Sequence, residues 1–287
     1  YFGANRSRFL PYAVLLEIAL QPCGWLAAYA GSALESEERL YFRNLGGNAT
    51  LLKTLDQNAG TVVMRSRMKE VSKAGGMIIQ DFDFDVIQQG APVFSGTTNF
   101  GFFTKASLAN QVGIRNSRLG TYQLPEQQKK AVPPFQFSPD APVYPGDPTT
   151  GKNTGMPASA LRMFDEISVL DFEGGLYQKG YLKAIKTVNP SEWFFDAHFY
   201  QDPVCPGSLG IESFLQMLRF FLIQKFEIDP QTYEPLVGTD ISHEWIYRGQ
   251  IVPANKKIEV HAHIKAIEKN KQAYQVVADG ALVVDGI

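Results

Sequence analysis

Cysteine is almost missing from this chain: two residues, Cys23 and Cys205, in 287. Two thiols are too few for a disulfide framework and match no zinc-ligand spacing, which points to a reducing compartment, by default the cytoplasm. Positive charge is not in excess either. Lys+Arg 27 against Asp+Glu 29 gives a net charge of -2, so no basic field exists to hold a phosphate backbone, and nucleic acid is excluded as a partner. Long hydrophobic runs are also lacking. The most apolar stretch, Ala13 to Leu34, is interrupted by Glu17, Gln21 and Pro22, short of the ~18 uninterrupted apolar residues of a membrane span. A buried helix is expected there, with no membrane insertion. The chain opens on Tyr1 and no charged region precedes an apolar run, so no signal peptide is read and the polypeptide is expected to be part of something longer.

What the sequence does contain is a repeat of long period. Val62 to Gly90 lies over Ile258 to Gly286 at a constant offset of 196 without a gap, and Lys69, Lys73 and Gly90 coincide with Lys265, Lys269 and Gly286. Both copies alternate apolar residues, Val62, Met64 and Met68 beside Ile258, Val260 and Ile264, the period of a half-buried strand that turns and returns as a second. A helix is predicted ahead of each hairpin, over Tyr12 to Tyr29 and Ser208 to Phe226. In the second, Phe214, Met217, Leu218 and Phe221 recur at three- and four-residue steps.

A long apolar helix followed by an antiparallel sheet suggests a sheet wrapped around a central helix, so the expected fold class is α+β, a double hot-dog. The expected domains are 1-104, a first hot-dog; 105-158, a linker; and 159-287, a second hot-dog. Between Leu124 and Ala158 stand Pro125, Pro133, Pro134, Pro139, Pro142, Pro145, Pro148 and Pro157, the composition of an extended connector that packs without regular structure. The first copy has a strand over Pro92 to Phe103 that the second lacks, and the second has a lead-in over Leu161 to Pro190 that the first lacks. A sheet short of its last strand exposes an edge, so the polypeptide is expected to continue past Ile287.

The chemistry concentrates in Trp193 to Gln216, WFFDAHFYQDPVCPGSLGIESFLQ. This run resembles the bacterial beta-hydroxyacyl-ACP dehydratases, the FabA-like family: the aromatic run, His198, Asp202-Pro203-Val204, Pro206-Gly207, and Glu212 fourteen residues after the histidine. The first copy resembles the family in part, through LLEIALQPCGW, where Glu17 and Gln21 stand as Glu212 and Gln216 do. Fused copies with a proline-rich connector resemble the dehydratase region of polyunsaturated fatty acid synthases. Two departures stand out. Asn5 occupies the histidine position of the first copy, twelve residues before Glu17. The acid is Glu in both copies where the isomerising branch has Asp, which leaves double-bond isomerisation open.

The residue types suit elimination of water from a 3-hydroxyacyl thioester, which requires a base for the proton beside the carbonyl and an acid for the departing hydroxyl. Histidine is the natural base at neutral pH, and a carboxylic acid among apolar groups holds its proton. The N–H groups of Gly207 and Ser208, opening a helix, suit the thioester oxygen as it gains charge. Neither a metal nor an organic cofactor is needed. The resemblance implies a site shared between copies, as in homodimeric members, so His198 is expected to work with Glu17, held by Gln21 one turn later. Glu212 is then expected to face the histidine-less site beside Asn5. One working site per chain follows, in a pseudo-dimer within the chain, with further homodimerisation open. The implied partners are an acyl carrier protein bearing the substrate and other domains of a larger synthase.

Other candidates weigh less. His261 and His263 share one strand face, but their repeat counterparts are Arg65 and Arg67, which indicates a solvated face rather than a metal site. Cys205 and Cys23 read as packing residues, and His243 has no supporting context. Trp193, Phe194, Phe195 and Phe199 line either an acyl tunnel or the core. Pro22 is expected to kink or distort its helix. Two other functions use similar parts, an acyl-ACP thioesterase of hot-dog fold and a non-catalytic acyl-binding or scaffold module.

Overall fold

The computed structural model describes residues 2–5, 9–56, 58–125, 135–137, 155–230, 232–270 and 273–287. They form two compact units, one of Phe9–Ile114 with Leu236–Gln250, the other of Tyr1–Arg8, Arg115–Pro235 and Ile251–Ile287. Each unit is an antiparallel sheet against one long helix, the hot-dog arrangement, and the chain is a double hot-dog. Among the described residues no helix is long and apolar enough to cross a membrane.

In the first unit, helix α2 (Tyr12–Tyr29; the short α1 is Phe2–Asn5) packs on β2 (Val62–Ala74) and β3 (Met77–Gln88). The sheet order is β2-β3-β4-β1-β8, with β1 Tyr41–Leu51, β4 Ala91–Phe103 and β8 Ser242–Ile246. Burial along β3 alternates strictly, so Phe82, Phe84 and Val86 face inward and are fully buried, as are Leu16, Ala19 and Cys23 of the helix. Each such large side chain contributes roughly 1.5–3 kcal/mol of burial. Helix α2 follows Pro11, whose φ of -55° already suits entry into a helix. It runs unbroken through Pro22 to Tyr29.

In the second unit, α6 (Gly207–Phe226) packs on β7 (Tyr181–Thr187), β9 (Lys257–Lys269) and β10 (Tyr274–Val284). The order is β10-β9-β7-β6-β5, with β5 Phe135–Gln136 and β6 Glu166–Asp171. Leu182, Ala184, Val260, Ala262 and Ile264 line the inner face, against Met217, Phe220 and Phe221. At Gly280 of β10, a Cβ would collide with the Phe214 ring, so glycine lets helix and strand close up.

The repeat appears as hairpins β2–β3 and β9–β10 at matching positions. The compact units do not follow the repeat. Residues 236–250 of the second copy pair through β8 with β1, Gly46 opposite Ile246 and Thr50 opposite Ser242, whereas residues 2–5 of the first copy sit in the α6 unit.

Two expectations are corrected. The outer face of β9 is not solvated: His261 and His263 are buried, while Arg65 and Arg67 of β2 are exposed. The cause is a cover that contacts His263 in the α6 unit. The Nε2–H of His263 donates at 2.9 Å to the carbonyl of Leu119, in α4 (Arg118–Thr121; α3 is Lys105–Ala109), and its Nδ1 accepts the Leu176 N–H at 3.2 Å. The linker is also not wholly irregular. Phe135–Gln136 pairs with β6, and the Phe135 and Phe137 rings meet the Phe220 ring edge to face, anchoring the segment. Pro133, Pro134, Pro139, Pro142, Pro145 and Pro148 lie outside the described residues.

Candidate active site

The site segment begins at the end of β7. Asn189 turns the chain, accepting the Ser191 N–H on its side chain at 2.9 Å and the Glu192 N–H on its carbonyl at 3.0 Å. Helix α5 (Trp193–Ala197) follows, and His198 caps it through its N–H to the Phe194 carbonyl at 3.0 Å. Phe194 and Phe195 are buried and Trp193 is partly exposed, its indole N–H donating to the Ala160 carbonyl at 2.9 Å. The aromatic run therefore packs α5 into the unit.

After the histidine the chain doubles back. Phe199 and Asp202 exchange backbone hydrogen bonds at 3.0 and 3.1 Å, with Gln201 at φ 55°. This tight turn returns Val204 to His198: the Val204 N–H donates to the His198 carbonyl at 2.8 Å. The imidazole Nδ1 lies 2.9 Å from the Val204 carbonyl oxygen. A carbonyl only accepts, so Nδ1 carries the proton and the Nε2 lone pair is left as the basic atom. The Phe199 ring lies against the imidazole, centroids 3.7 Å apart. Cys205 N–H donates to the Ile251 carbonyl at 2.8 Å, and Pro206 then opens α6 with φ -55°. Gly207 and Ser208 are the first two residues of this twenty-residue helix, at its positive dipole end.

Five residues into α6, Glu212 is buried. Gln216 holds it, donating Nε2–H to Glu212 Oε1 at 3.0 Å and to the Leu161 carbonyl at 2.9 Å, while its Oε1 accepts the Met163 N–H at 2.9 Å. Arg219, one turn later, donates to the Asn5 carbonyl at 3.2 Å, and the Ala158 N–H bonds the Ala4 carbonyl at 2.8 Å. The first copy's degenerate motif thus lies on the α6 unit, with the helix that bears Glu212. In the other unit, Glu17 is half-buried and Gln21 is exposed on α2.

The remaining candidates fall into place locally. Cys23 is buried and bonded to Ser66 Oγ at 3.1 Å, and burial raises its pKa, the mark of an unreactive thiol. His243 packs on Tyr12, ring centroids 5.0 Å apart, and burial lowers its pKa. Among the described residues no three His, Cys, Asp or Glu side chains gather as metal ligands. The sequence reading named Val204 only within a turn and gave its carbonyl no role. The signal was present in the Asp-Pro pair that follows His198, residues that favour turning the chain back on itself.

Comparison with known proteins places the segment. Residues 156–287 match the family model of the FabA-like domain. A polyunsaturated fatty acid synthase polypeptide of Thraustochytrium sp. is 31% identical over 302 aligned residues, covering 100% of this chain and 20% of that protein. The chain thus spans about a fifth of that relative's length. Among solved structures, a Mycobacterium tuberculosis protein described as having a double hotdog fold is 12% identical, covering 99% of this chain and 78% of that one, with a TM-score of 0.47. A MaoC-like dehydratase is 10% identical over 96% and 84%, with a TM-score of 0.44.

Proposed function

The chain carries a FabA-like domain in residues 156–287, and from that premise we propose that it removes water from a 3-hydroxyacyl thioester presented on an acyl carrier protein, as one part of a larger synthase of polyunsaturated fatty acids. The observation that carries this reading is the hydrogen bond from His198 Nδ1 to the Val204 carbonyl, which fixes the tautomer and frees Nε2 for a proton.

In the proposed reaction, Nε2 of His198 takes the C2 proton. The electron pair left behind moves toward the thioester oxygen, stabilised by the N–H groups that open α6 at Gly207 and Ser208. The C3–O bond then breaks as a carboxylic acid delivers its proton to the hydroxyl, giving water and the trans-2-enoyl thioester. Transfer of the proton from His198 back to the carboxylate resets the site. No cofactor enters. The assignment of Glu17 follows the family resemblance, in which base and acid come from different copies.

The test is turnover of a 3-hydroxyacyl carrier protein with products separated by mass. His198→Ala should lower kcat by about 10³-fold, since a positioned base typically contributes 10²–10⁴-fold, and equal turnover by both proteins would sink the mechanism. Glu17→Gln should be as damaging and Glu212→Gln much less so; the opposite ranking would move the acid to Glu212. Release of free acid instead of enoyl product would make the chain a thioesterase.

A further inference from the structure

On the inner face of β7, in line with the fully buried Leu182 and Ala184, stands a lysine. Lys186 is only 8% exposed, opposite Ile258 of β9, a position that Leu or Met would fill without electrostatic cost. A buried ammonium requires a partner, and Glu192 supplies it, Nζ to Oε1 at 2.6 Å. Glu192 is the residue immediately before α5. The pair therefore closes the turn Thr187–Ser191 and ties the start of α5 to the sheet. α5 is five residues long and His198 caps its other end, so one short rigid element separates the ion pair from the imidazole. The other end of that path is fixed by Val204.

We propose that Lys186 and Glu192 are positioning residues for His198, setting through α5 where Nε2 stands; this rests on the reading of His198 as the base. The energetics favour geometry over stability as the reason for the pair. A buried ion pair replaced by apolar groups of similar volume is often neutral or stabilising, so stability alone does not select a charge at this position. A tie of fixed length and direction does select one, because a misplacement of roughly 1 Å costs about 10²-fold in rate.

The experiment uses the full chain. Lys186→Met combined with Glu192→Leu is expected to melt within a few degrees of wild type, with kcat lower by about 10²-fold and KM within threefold. Lys186→Arg, which keeps a cation against Glu192, is expected to retain kcat within fivefold. The Nδ1–H resonance of His198, sharp in wild type, should broaden in the double variant. Three results would overturn the proposal: a double variant with wild-type kcat, an unchanged Nδ1–H signal, or loss of rate in Lys186→Arg equal to that of the double variant. If the double variant does not fold, Lys186→Arg and its resonance decide alone. His198→Ala in parallel separates the two readings. Turnover by that variant removes the base assignment, whereas an inactive His198→Ala beside fully active pair variants removes only the positioning role.

Discussion

Gln216 shows how much a single buried amide can hold. Its two N–H groups and its oxygen are bound to Glu212, Leu161 and Met163, so replacing it by leucine strands a backbone N–H and a backbone carbonyl and takes one hydrogen bond from the Glu212 carboxyl. Each buried group left unpaired costs about 1–3 kcal/mol, so with two such groups Gln216→Leu should lose about 2–6 kcal/mol in chemical denaturation. Gln216→Glu should lose at least as much, because although one oxygen still accepts from Met163, the other would face the Glu212 carboxyl and the Leu161 carbonyl, both of which need a donor; a clearly smaller loss would show that these bonds are not what stabilises the site. The sequence indicated such a residue by its spacing, a glutamine one turn after a glutamate, but it did so in both copies. The same orienting role is expected of Gln21, which is exposed on α2, because the 3.6-residue period gives the face of a helix and not what covers it. Gln216 is covered by the lead-in at Leu161–Met163.

At the scale of the element, β9 was legible as a strand and illegible as an environment. Its alternation put His261 and His263 on one face, and the repeat marked that face as solvated. The covering residues Leu119 and Leu176 lie 144 and 87 positions away in sequence, beyond any local signal. Burial, with Lys183 adding to it and Glu259 opposing it, pushes His261 down to about 4, and burial lowers His263 as well. An unfolded histidine titrates at about 6.5. Between those values the unfolded chain binds more protons than the folded one, so stability rises with pH. The contribution of His261 is fully present above pH 6.5 and is lost as pH falls to about 4. Glu259 is also raised by burial but lowered more by Lys257 and Lys183, to about 2, so its contribution is lost only below the ordinary carboxylate range. His261→Asn keeps a polar partner for the Tyr181 hydroxyl, which now sits 2.9 Å from Nδ1. This variant should flatten the fall in melting temperature between pH 6.5 and 4. An acid slope as steep as wild type would mean that the buried imidazole is not its source.

At the scale of the molecule, the repeat gave two helix-and-sheet copies, and the structure adds that the compact units exchange segments between them. Sheet pairing at a distance of some two hundred residues leaves no periodic trace in either strand, which is why β8 went unread. It matters because β1 uses both edges, bonding β4 on one side and β8 on the other. Residues near β8 add side-chain and backbone ties: Trp245 Nε1–H to Asn44 at 2.9 Å, the Tyr247 N–H to the Leu45 carbonyl at 2.9 Å, the Asp240 N–H to the Leu51 carbonyl at 2.8 Å, and Arg43 to Gln250 at 3.0 and 3.1 Å. A cut at the linker, leaving residues 1–158, removes all of these and bares the edge of β1 over Gly46–Thr50, a template for aggregation. The fragment should therefore fail to melt cooperatively and should elute as aggregate in gel filtration, although it contains the first helix and hairpin of the repeat. If residues 1–158 instead gave a sharp transition near that of the intact chain, the exchanged strand would be an addition to a self-sufficient sheet rather than part of it.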